Sequence, residues 1–542
     1  MQLRIVATTP YPDQRPGTSG LRKKTRIFAT RPHYLENFVQ SAFDCLGDPG
    51  GRSFVLGGDG RYFNDRAIQI LLKMMAANGV GQVLVGRNGL LSTPAASHLI
   101  RKYGACGGFL LTASHNPGGP EGDFGIKYNI ANGGPAPERL TEAIFARSRK
   151  IEHFRILDAP DLDLSSPGET RLGEMAVRIL DPVADYAERM AELFDFAAIR
   201  ELFARGFRMV FDAMHGVTGP YARRIFTEML GAPEDSVLRG DPRPDFGGLH
   251  PDPNLTWCRD LVARMNGPQA PDLGAAADGD GDRNMILGPG LFVTPSDSLA
   301  LLAAHADLVP GYRGRITGVA RSMPTSRAVD RVAAARGLDL YETPTGWKYF
   351  GNLLDAGRIQ LCGEESFGAG SDHIREKDGI WAVLFWLDLL AARGRGVREI
   401  VHGHWRRFGR DYYTRHDYER LDPEIGEGLM ADLRRRLPEL PGTEIEGVAV
   451  TTAEEFCYRD PIDGSVSEHQ GIRLLFADDS RIVFRLSGTG TEGATLRVYM
   501  ERYRSEDLFG DAQEMLASVI ARARTIADIP GRTGRAEPDV VT

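Results

Sequence analysis

A serine-containing turn is the first stretch of this sequence whose residue types could do chemistry. The apolar run 109–111 stops abruptly at Thr-Ala-Ser-His-Asn-Pro, which spans residues 112–117. An apolar run that ends in a polar turn and a proline places Ser114 on a loop at the end of a strand. A serine hydroxyl is a weak nucleophile, so a reacting serine needs a neighbouring base or a group to carry. His115 is adjacent and Lys127 follows, although an ordinary Ser/Asn turn is the alternative for this motif alone.

An acidic loop is the second candidate. Asp278, Asp280 and Asp282 alternate with single glycines after an apolar run, and glycines allow a tight loop in which side chains converge. Mg²⁺ prefers oxygen ligands, and three carboxylates this close repel one another unless a cation lies among them. A calcium loop is an alternative whose pattern fails, because Arg283 replaces the required glycine and Pro289 the closing glutamate. The loop therefore predicts a site for one Mg²⁺, with a solvated acidic turn as the remaining alternative.

Two further loops combine groups that bind sugars and phosphates. Glu364 and Ser366 lie in Gly-Glu-Glu-Ser-Phe-Gly, and ionised carboxylates accept hydrogen bonds from sugar hydroxyls. Arg485 precedes Ser-Gly-Thr-Gly between two apolar strands, where hydroxyls, glycine amides and a guanidinium together make a phosphate cradle. Taken singly, the first loop is more typical of a surface acidic turn, and the second is equally typical of a Ser/Thr/Gly hairpin.

The elements that must position these loops follow a repeated pattern. Strand-like apolar runs alternate with amphipathic stretches that favour helices, which predicts an α/β fold. After Trp405 the pattern changes to strand pairs followed by a helix, which favours an α+β domain, and the tail 530–542 is expected to be loosely held. The predicted strands are 53–56, 82–85, 109–111 and 209–212, and the predicted helices are 65–78, 92–102, 220–230, 326–336 and 506–526.

Composition narrows the class of protein. A chain of 542 residues is expected to form several domains, and its apolar fraction of 42% and charged fraction of 25% are typical of soluble globular proteins. A net charge of −8 without basic runs argues against general nucleic-acid binding. Five scattered cysteines fit a reducing compartment, and the N-terminal stretch lacks the apolar core of a signal peptide. The longest apolar stretch, 379–392, is broken by Asp388 and too short to span a membrane. The expected location is therefore the cytoplasm.

The four motifs, in this order, resemble those of the α-D-phosphohexomutases. The similarity runs from about Arg15 to near the end of the chain, and it includes Arg-Pro-Gly-Thr-Ser-Gly-Leu-Arg-Lys at 15–23. Four unrelated motifs in the family's order make the resemblance specific. It implies an α/β protein of four domains around a central cleft: three related α/β domains with mixed sheets and a C-terminal α+β domain. The implied boundaries are 1–187 with a phosphoserine loop, 188–302 with a metal loop, 303–404 with a sugar-binding loop and 405–542 with a phosphate-binding loop.

The resemblance also implies an activity. Members of the family shift a phosphoryl group between two positions of a sugar, and the length and the Gly-Glu-Glu-Ser-Phe-Gly motif favour glucose. The expected reaction interconverts α-D-glucose 1-phosphate and glucose 6-phosphate through a phosphoserine, one Mg²⁺ per chain and glucose 1,6-bisphosphate as intermediate and activator. Alternatives are an enzyme specific for mannose phosphates or for both sugars, a phosphoserine hydrolase, and a non-catalytic sugar-phosphate-binding paralogue. Partners are expected to be sugar phosphates, without nucleic acid or membrane, and the protein is expected to be a monomer.

Individual roles follow from the resemblance alone. Ser114 would carry the phosphoryl group and supply a metal ligand, while the general acid or base stays open among His115, Lys127 and Lys377. The histidines of His402-Gly-His404 are interpreted as structural, since nothing nearby completes a metal site. Glu492 is unexpected in a phosphate-binding loop, because it adds a negative charge beside the predicted phosphate. The implied metal ligands are Ser114, Asp278, Asp280 and Asp282; the implied substrate-binding residues are Thr18, Arg22, Arg283, Thr345, Gly346, Glu364, Ser366 and Lys377; the implied phosphate-binding residues are Arg485, Ser487, Gly488, Thr489, Thr491 and Arg497.

Overall fold

A computed structural model describes residues 1–17, 19–487 and 493–542. It contains four main sheets, each built from a consecutive part of the chain, and the predicted fold class is confirmed. Three α/β domains precede a C-terminal α+β domain. The proposed domain boundaries remain predictions. Within the described residues no helix is long and apolar enough to cross a membrane.

The first domain is a mixed seven-stranded sheet in the order β2-β6-β5-β3-β4-β9-β8. Its centre, β5-β3-β4-β9, is parallel, and β6 runs antiparallel to β5. The central strands are buried on both faces, which explains their continuous apolar runs. The strands are β1 (Gln2–Ala7), β2 (Leu21–Lys24), β3 (Ser53–Gly58), β4 (Gln82–Leu90), β5 (Gly107–Leu111), β6 (Asp123–Ile130), β7 (His153–Asp158), β8 (Gly168–Leu172) and β9 (Met175–Leu180), and the helices are α1 (Thr25–Thr30), α2 (Tyr34–Cys45), α3 (Asn64–Ala77), α4 (Thr93–Lys102) and α5 (Glu138–Ser148).

The second domain is also built around a mixed sheet, which is smaller than that of the first domain. Its sheet has the order β11-β10-β12-β13-β14, with β10 and β12 parallel and β13 antiparallel to β12. The predicted helix 220–230 is a short α-helix that continues as a π-helix over Arg223–Met229. The elements are α6 (Ala184–Leu193), α7 (Phe196–Ala204), β10 (Met209–Asp212), α8 (Thr218–Ala222), β11 (Val237–Leu238), α9 (Arg259–Met265), β12 (Leu273–Ala277), β13 (Asn284–Gly288) and β14 (Leu291–Val293).

The third domain contains a helix that is buried over residues 379–390. Its sheet has the order β16-β15-β17-β18. Helix α13 begins at Gly379, after Asp378 accepts a hydrogen bond from the Trp381 amide (3.0 Å), and its apolar residues pack in the large core shared with the first two domains. The elements are α10 (Pro295–His305), β15 (Gly318–Ser322), α11 (Ala328–Arg336), β16 (Asp339–Thr343), α12 (Trp347–Asp355), β17 (Leu361–Glu364), β18 (Gly368–Ser371), α13 (Gly379–Arg393) and α14 (Val397–Phe408).

The fourth domain is an antiparallel sheet with helices packed on it. The predicted helix 506–526 begins only at Ala512, because Asp511 accepts from two amides of its first turn. The tail is not loosely held as predicted, since it forms α17 and then β27, which pairs with β19. The elements are β19 (Arg410–Leu421), α15 (Pro423–Arg436), β20 (Glu444–Ile445), β21 (Val448–Glu455), β22 (Tyr458–Arg459), β23 (Val466–Ser467), β24 (Ile472–Phe476), β25 (Ser480–Ser487), β26 (Ala494–Arg504), α16 (Ala512–Ala527), α17 (Ile529–Thr533) and β27 (Val540–Val541).

Candidate active site

Ser114 lies on the loop after β5, as the apolar-to-polar transition predicts. Its φ of +53° is in the left-handed region, and its side chain is buried. A left-handed non-glycine residue is unfavourable unless its surroundings fix it, and such residues concentrate at functional sites. The Ser114 hydroxyl donates to Asp278 Oδ2 (2.7 Å) and lies 3.3 Å from His115 Nδ1. The loop therefore presents one hydroxyl directly to the acidic loop of the second domain.

A buried ion pair holds this loop in place. Arg61, fully buried, pairs with Asp59 and donates to the Ser114 carbonyl (2.8 Å) and the Asp123 carbonyl (2.8 Å). Asp59 also accepts from the Thr112 hydroxyl (2.7 Å). Neither Asp59 nor Arg61 was predicted from the sequence to have a role. The available signal was an aspartate and an arginine separated by one glycine directly after a buried strand.

The acidic loop approaches the serine loop very closely. A Cβ on Gly279 would stand 2.7 Å from the Ser114 carbonyl oxygen, and Gly281 has a φ of +80°. Both glycines are therefore required, one for close approach and the other for its backbone conformation. Three amides at or near helix starts donate to carbonyls of this loop: Thr93 to Asp280 (3.0 Å), Val217 to Gly279 (3.0 Å) and Gly379 to Gly281 (3.0 Å). Positive helix ends thus surround a loop that carries three carboxylates.

The donor set of the acidic loop fits a hard divalent cation. Oxygens of Asp278, Asp280 and Asp282 lie within 4.8 Å of one another, and all three side chains are buried. Burial, followed by the charges of the other two aspartates, raises the pKa of Asp278 well above its usual value. One oxygen of Asp280 and one of Asp282 have no hydrogen-bond partner among the described residues. A bound Mg²⁺ would satisfy these oxygens and cancel the mutual repulsion.

The three acid–base candidates lie in different surroundings. Burial and then the charge of Arg283 lower the pKa of His115 well below its usual value, so its imidazole is neutral at pH 7. Lys377 lies 3.2 Å from Asp282. Although burial opposes its charge, Asp282 and Glu364 raise the pKa of Lys377. Lys127 is buried in an ion pair with Glu376 (2.8 Å). Lys377 is the lysine that touches the acidic loop directly.

The predicted sugar-binding loop of the third domain packs against the acidic loop. The amide of Asn284 donates to the Phe367 carbonyl (2.8 Å), which joins the second and third domains. Glu364 is buried at the end of β17, and its carboxylate accepts from the Gly346 amide (2.8 Å). Burial raises the pKa of Glu364, while the charge of Lys377 opposes the shift. The Ser366 hydroxyl stands 3.5 Å from this carboxylate.

Three further predicted substrate residues have buried polar atoms. Arg283 pairs with Asp252 (3.1 Å), and its own amide donates to Asp278 (3.0 Å). The Nε of Arg22, the Nε of Arg283 and the hydroxyl of Thr345 are buried without hydrogen-bond partners among the described residues. Unsatisfied buried donors are costly in a folded protein, so they indicate a polar ligand.

A cavity of about 730 Å³ opens beside the fourth domain. Arg485, half-buried, donates to the Gln470 carbonyl (3.2 Å) and lies 3.3 Å from the Tyr499 hydroxyl. Arg497 lies 3.6 Å from Asp417, and its Nε makes no hydrogen bond to a described residue. Lining residues from three domains include Gly17, Thr345, Lys348, Arg485, Ser487 and Arg497. Thr18, Gly488, Thr489, Thr491 and Glu492 lie outside the described residues.

A buried hydroxyl in contact with a cluster of carboxylates, together with an arginine-lined cavity, fits an enzyme that transfers phosphoryl groups on sugar phosphates. Family models place the chain within that class. Models described as phosphoglucomutase/phosphomannomutase α/β/α domains I, II and III match residues 13–155, 184–290 and 295–408. A model described as the C-terminal domain of phosphoglucomutase-1 matches residues 410–539. The chain belongs to the phosphoglucomutase/phosphomannomutase family.

Full-length relatives agree with this membership. The chain is 58% identical to the phosphoglucomutase of Rhizobium radiobacter and 50% identical to phosphoglucomutase-1 of Oryctolagus cuniculus, and each match covers 100% of both proteins. Parafusin from Paramecium, a phosphoglucomutase solved in an open form, matches with a TM-score of 0.92 and 48% identity over 100% of this chain and 99% of that one.

Proposed function

We propose that this protein interconverts α-D-glucose 1-phosphate and glucose 6-phosphate through a phosphorylated Ser114. The proposal rests mainly on the 2.7 Å contact between the Ser114 hydroxyl and Asp278 within the acidic loop. The relatives that match over the full chain and carry the name phosphoglucomutase support the same reaction. In the first half-reaction, phosphoserine donates its phosphoryl group to the free hydroxyl of the substrate. In the second, Ser114 recovers a phosphoryl group from the other end of glucose 1,6-bisphosphate.

The chain's own residues would share this chemistry. Phosphoryl transfer depends mainly on positioning the reacting groups and on stabilising the negative charge of the transferred group. Mg²⁺ would supply that stabilisation when bound to the three aspartates. Lys377, held charged beside Asp282, would stabilise negative charge on the phosphoryl oxygens. His115, neutral at pH 7, is available to accept the proton of the attacking hydroxyl. Arg61 would keep the Ser114 carbonyl, and hence the hydroxyl, in register with the acidic loop.

Binding would use the third and fourth domains. Glu364 and Ser366 would accept and donate hydrogen bonds to sugar hydroxyls, while Arg485 and Arg497 would hold the phosphate that does not react. A phosphate anchor apart from Ser114 explains how either end of the bisphosphate can be presented, since the anchor needs only a phosphate and not a particular position on the sugar. Five free cysteines and relatives named cytoplasmic support a cytoplasmic location.

A coupled assay tests this function. We expect turnover of glucose 1-phosphate that needs Mg²⁺ and catalytic glucose 1,6-bisphosphate, with a lower kcat/KM for mannose 1-phosphate. Intact-mass measurement should show one added phosphoryl group after exposure to the bisphosphate. Equal or higher kcat/KM for mannose 1-phosphate would favour the dual-specificity or mannose-specific alternative, and a phosphorylated protein without turnover would favour the non-catalytic one.

Arg485→Lys is expected to raise the KM for glucose 1-phosphate about tenfold or more, because a planar guanidinium binds a phosphate through paired donors and lysine offers a point charge. A smaller fall in kcat is expected, since the anchor also positions the sugar. Phosphorylation of Ser114 by the bisphosphate should persist. Arg459→Lys, at an exposed position of β22 in the same domain, is the matched control. An unchanged KM in Arg485→Lys would leave Arg485 with a purely structural role.

A further inference from the structure

A second cavity, of about 380 Å³, lies in the third domain and away from all four motif loops. It opens to solvent and is lined by the end of α10, the end of α13 and one face of α14. Helix α13 has 15 residues, so its two ends are roughly 20 Å apart. Its first residue, Gly379, contacts the acidic loop, whereas its last, Arg393, lines this cavity. The cavity is therefore distinct from the candidate active site.

Positive charges outnumber negative charges in the lining of this cavity. Arg393, Arg395 and Arg407 line it, and neither Arg395 nor Arg407 forms an ion pair with a described residue. Among the described lining residues Glu399 is the one carboxylate, and it accepts a hydrogen bond from the Gly396 amide (3.1 Å). Three arginines against one glutamate create a local positive potential on a protein whose net charge is −8.

Two histidines complete the lining. His305 accepts a hydrogen bond at Nδ1 from Arg393 Nη2 (2.9 Å). His404 is buried, with 5% of its surface exposed, and its Nδ1 has no hydrogen-bond partner among the described residues. Burial, and then the charges of Arg393 and Arg407, lower the pKa of His305 to about 4. Burial, His305 and Arg407 lower the pKa of His404 to about 3. The cavity thus combines excess positive charge with an unsatisfied buried nitrogen.

We propose that this cavity is a second binding site, for a small phosphate monoester. Guanidinium groups bind phosphate oxygens through paired donors, which suits the cluster of Arg393, Arg395 and Arg407. A volume of about 380 Å³ is within the range of small-molecule sites and exceeds what inorganic phosphate fills. Ile400 and Phe408 also line the cavity and offer apolar contacts to the organic part of the ester. The site is independent of the proposed reaction at Ser114.

Protection of the lining arginines from chemical modification tests whether a ligand binds in this cavity. The protein is treated with phenylglyoxal at increasing glycerol 3-phosphate, and adducts at individual arginines are quantified by peptide mass mapping. We expect saturable protection of Arg395 and Arg407, with no change at Arg406, which belongs to α14 but not to the cavity. Glycerol and inorganic phosphate at matched ionic strength serve as comparison probes. Protection by inorganic phosphate equal to that by the ester would overturn the assignment to a monoester.

Charge reversal at neighbouring positions supplies the matched control. Arg407→Glu should raise the concentration that half-protects Arg395 at least about tenfold, since one charge-assisted contact is lost and a repulsion is added. Arg406→Glu changes the net charge equally and should leave this concentration unchanged. Both variants should keep the kcat and KM for glucose 1-phosphate, which shows that they fold. Undiminished protection of Arg395 in Arg407→Glu would contradict the proposal. Absence of turnover in the parent protein would contradict only the reaction proposed at Ser114.

Discussion

Replacing Ser114 with alanine is expected to lower kcat by at least about three orders of magnitude, which corresponds to roughly 4 kcal/mol of activation free energy. The change removes the hydroxyl that contacts Asp278 at 2.7 Å and leaves no group to carry the phosphoryl. Steady-state turnover of glucose 1-phosphate measures the effect. Intact mass should at the same time show that the variant no longer gains a phosphoryl group from glucose 1,6-bisphosphate.

A buried serine elsewhere in the same domain provides the control. Ser41 lies in α2, and its hydroxyl donates to the Asn37 carbonyl of the same helix (2.6 Å), so Ser41→Ala removes a buried hydroxyl without touching a motif loop. Its kcat should match that of the parent protein. If Ser114→Ala kept both turnover and phosphorylation, another residue would have to be the nucleophile.

Asp280→Asn is expected to raise the Mg²⁺ concentration for half-maximal activity at least about tenfold, because one of three anionic ligands becomes neutral. Although burial opposes ionisation, the charges of Lys127 and Lys377 and a hydrogen bond from Thr93 lower the pKa of Asp280, so the parent side chain is anionic at pH 7. The Mg²⁺-induced rise in Tm should shrink in parallel, which gives a readout independent of catalysis.

Asp245→Asn is the corresponding control. Asp245 is exposed, and its Oδ1 accepts from the Gly247 amide (2.9 Å), an acceptor that asparagine retains. The control should leave both the Mg²⁺ titration and the Tm response unchanged. Superimposable Mg²⁺ titrations for Asp280→Asn and the parent protein would contradict the assignment of the acidic loop as the cation site.

Local signals in the sequence located much of the architecture. Apolar runs predicted β3, β4 and β5 because these strands are buried on both faces. Strand β6 was not predicted, since its Asp123, Lys127 and Asn129 read as polar. The structure buries them by pairing Lys127 and Asn129 with Glu376, which lies more than 240 residues away in the chain. Partners at such a separation leave no local pattern in the sequence. A buried strand that contains polar residues is therefore not predicted from its hydrophobic periodicity.

The motif loops were recognisable because each combines its reactive groups within a few residues. The residues that hold these loops in place were not predicted, because Arg61 reaches the Ser114 carbonyl and Thr93 reaches Asp280 only after the sheets assemble. The tail was misjudged for the same reason, because β27 depends on pairing with β19 more than 120 residues earlier. Sequence reasoning therefore identified candidate groups for the chemistry, and tertiary structure supplied what orients them.

Each of the four sheets carries one loop of the candidate site: the Ser114 hydroxyl, the proposed cation ligands, the proposed sugar contacts and the proposed phosphate anchor. Such a division lets evolution change one property at a time. Substitutions near Glu364 would then alter which sugar is preferred and leave the Ser114 loop and the acidic loop unchanged. Because α13 packs in the core shared with the first two domains, a new sugar preference is expected to come from substitutions in the Glu364 loop and not from exchange of the whole third domain.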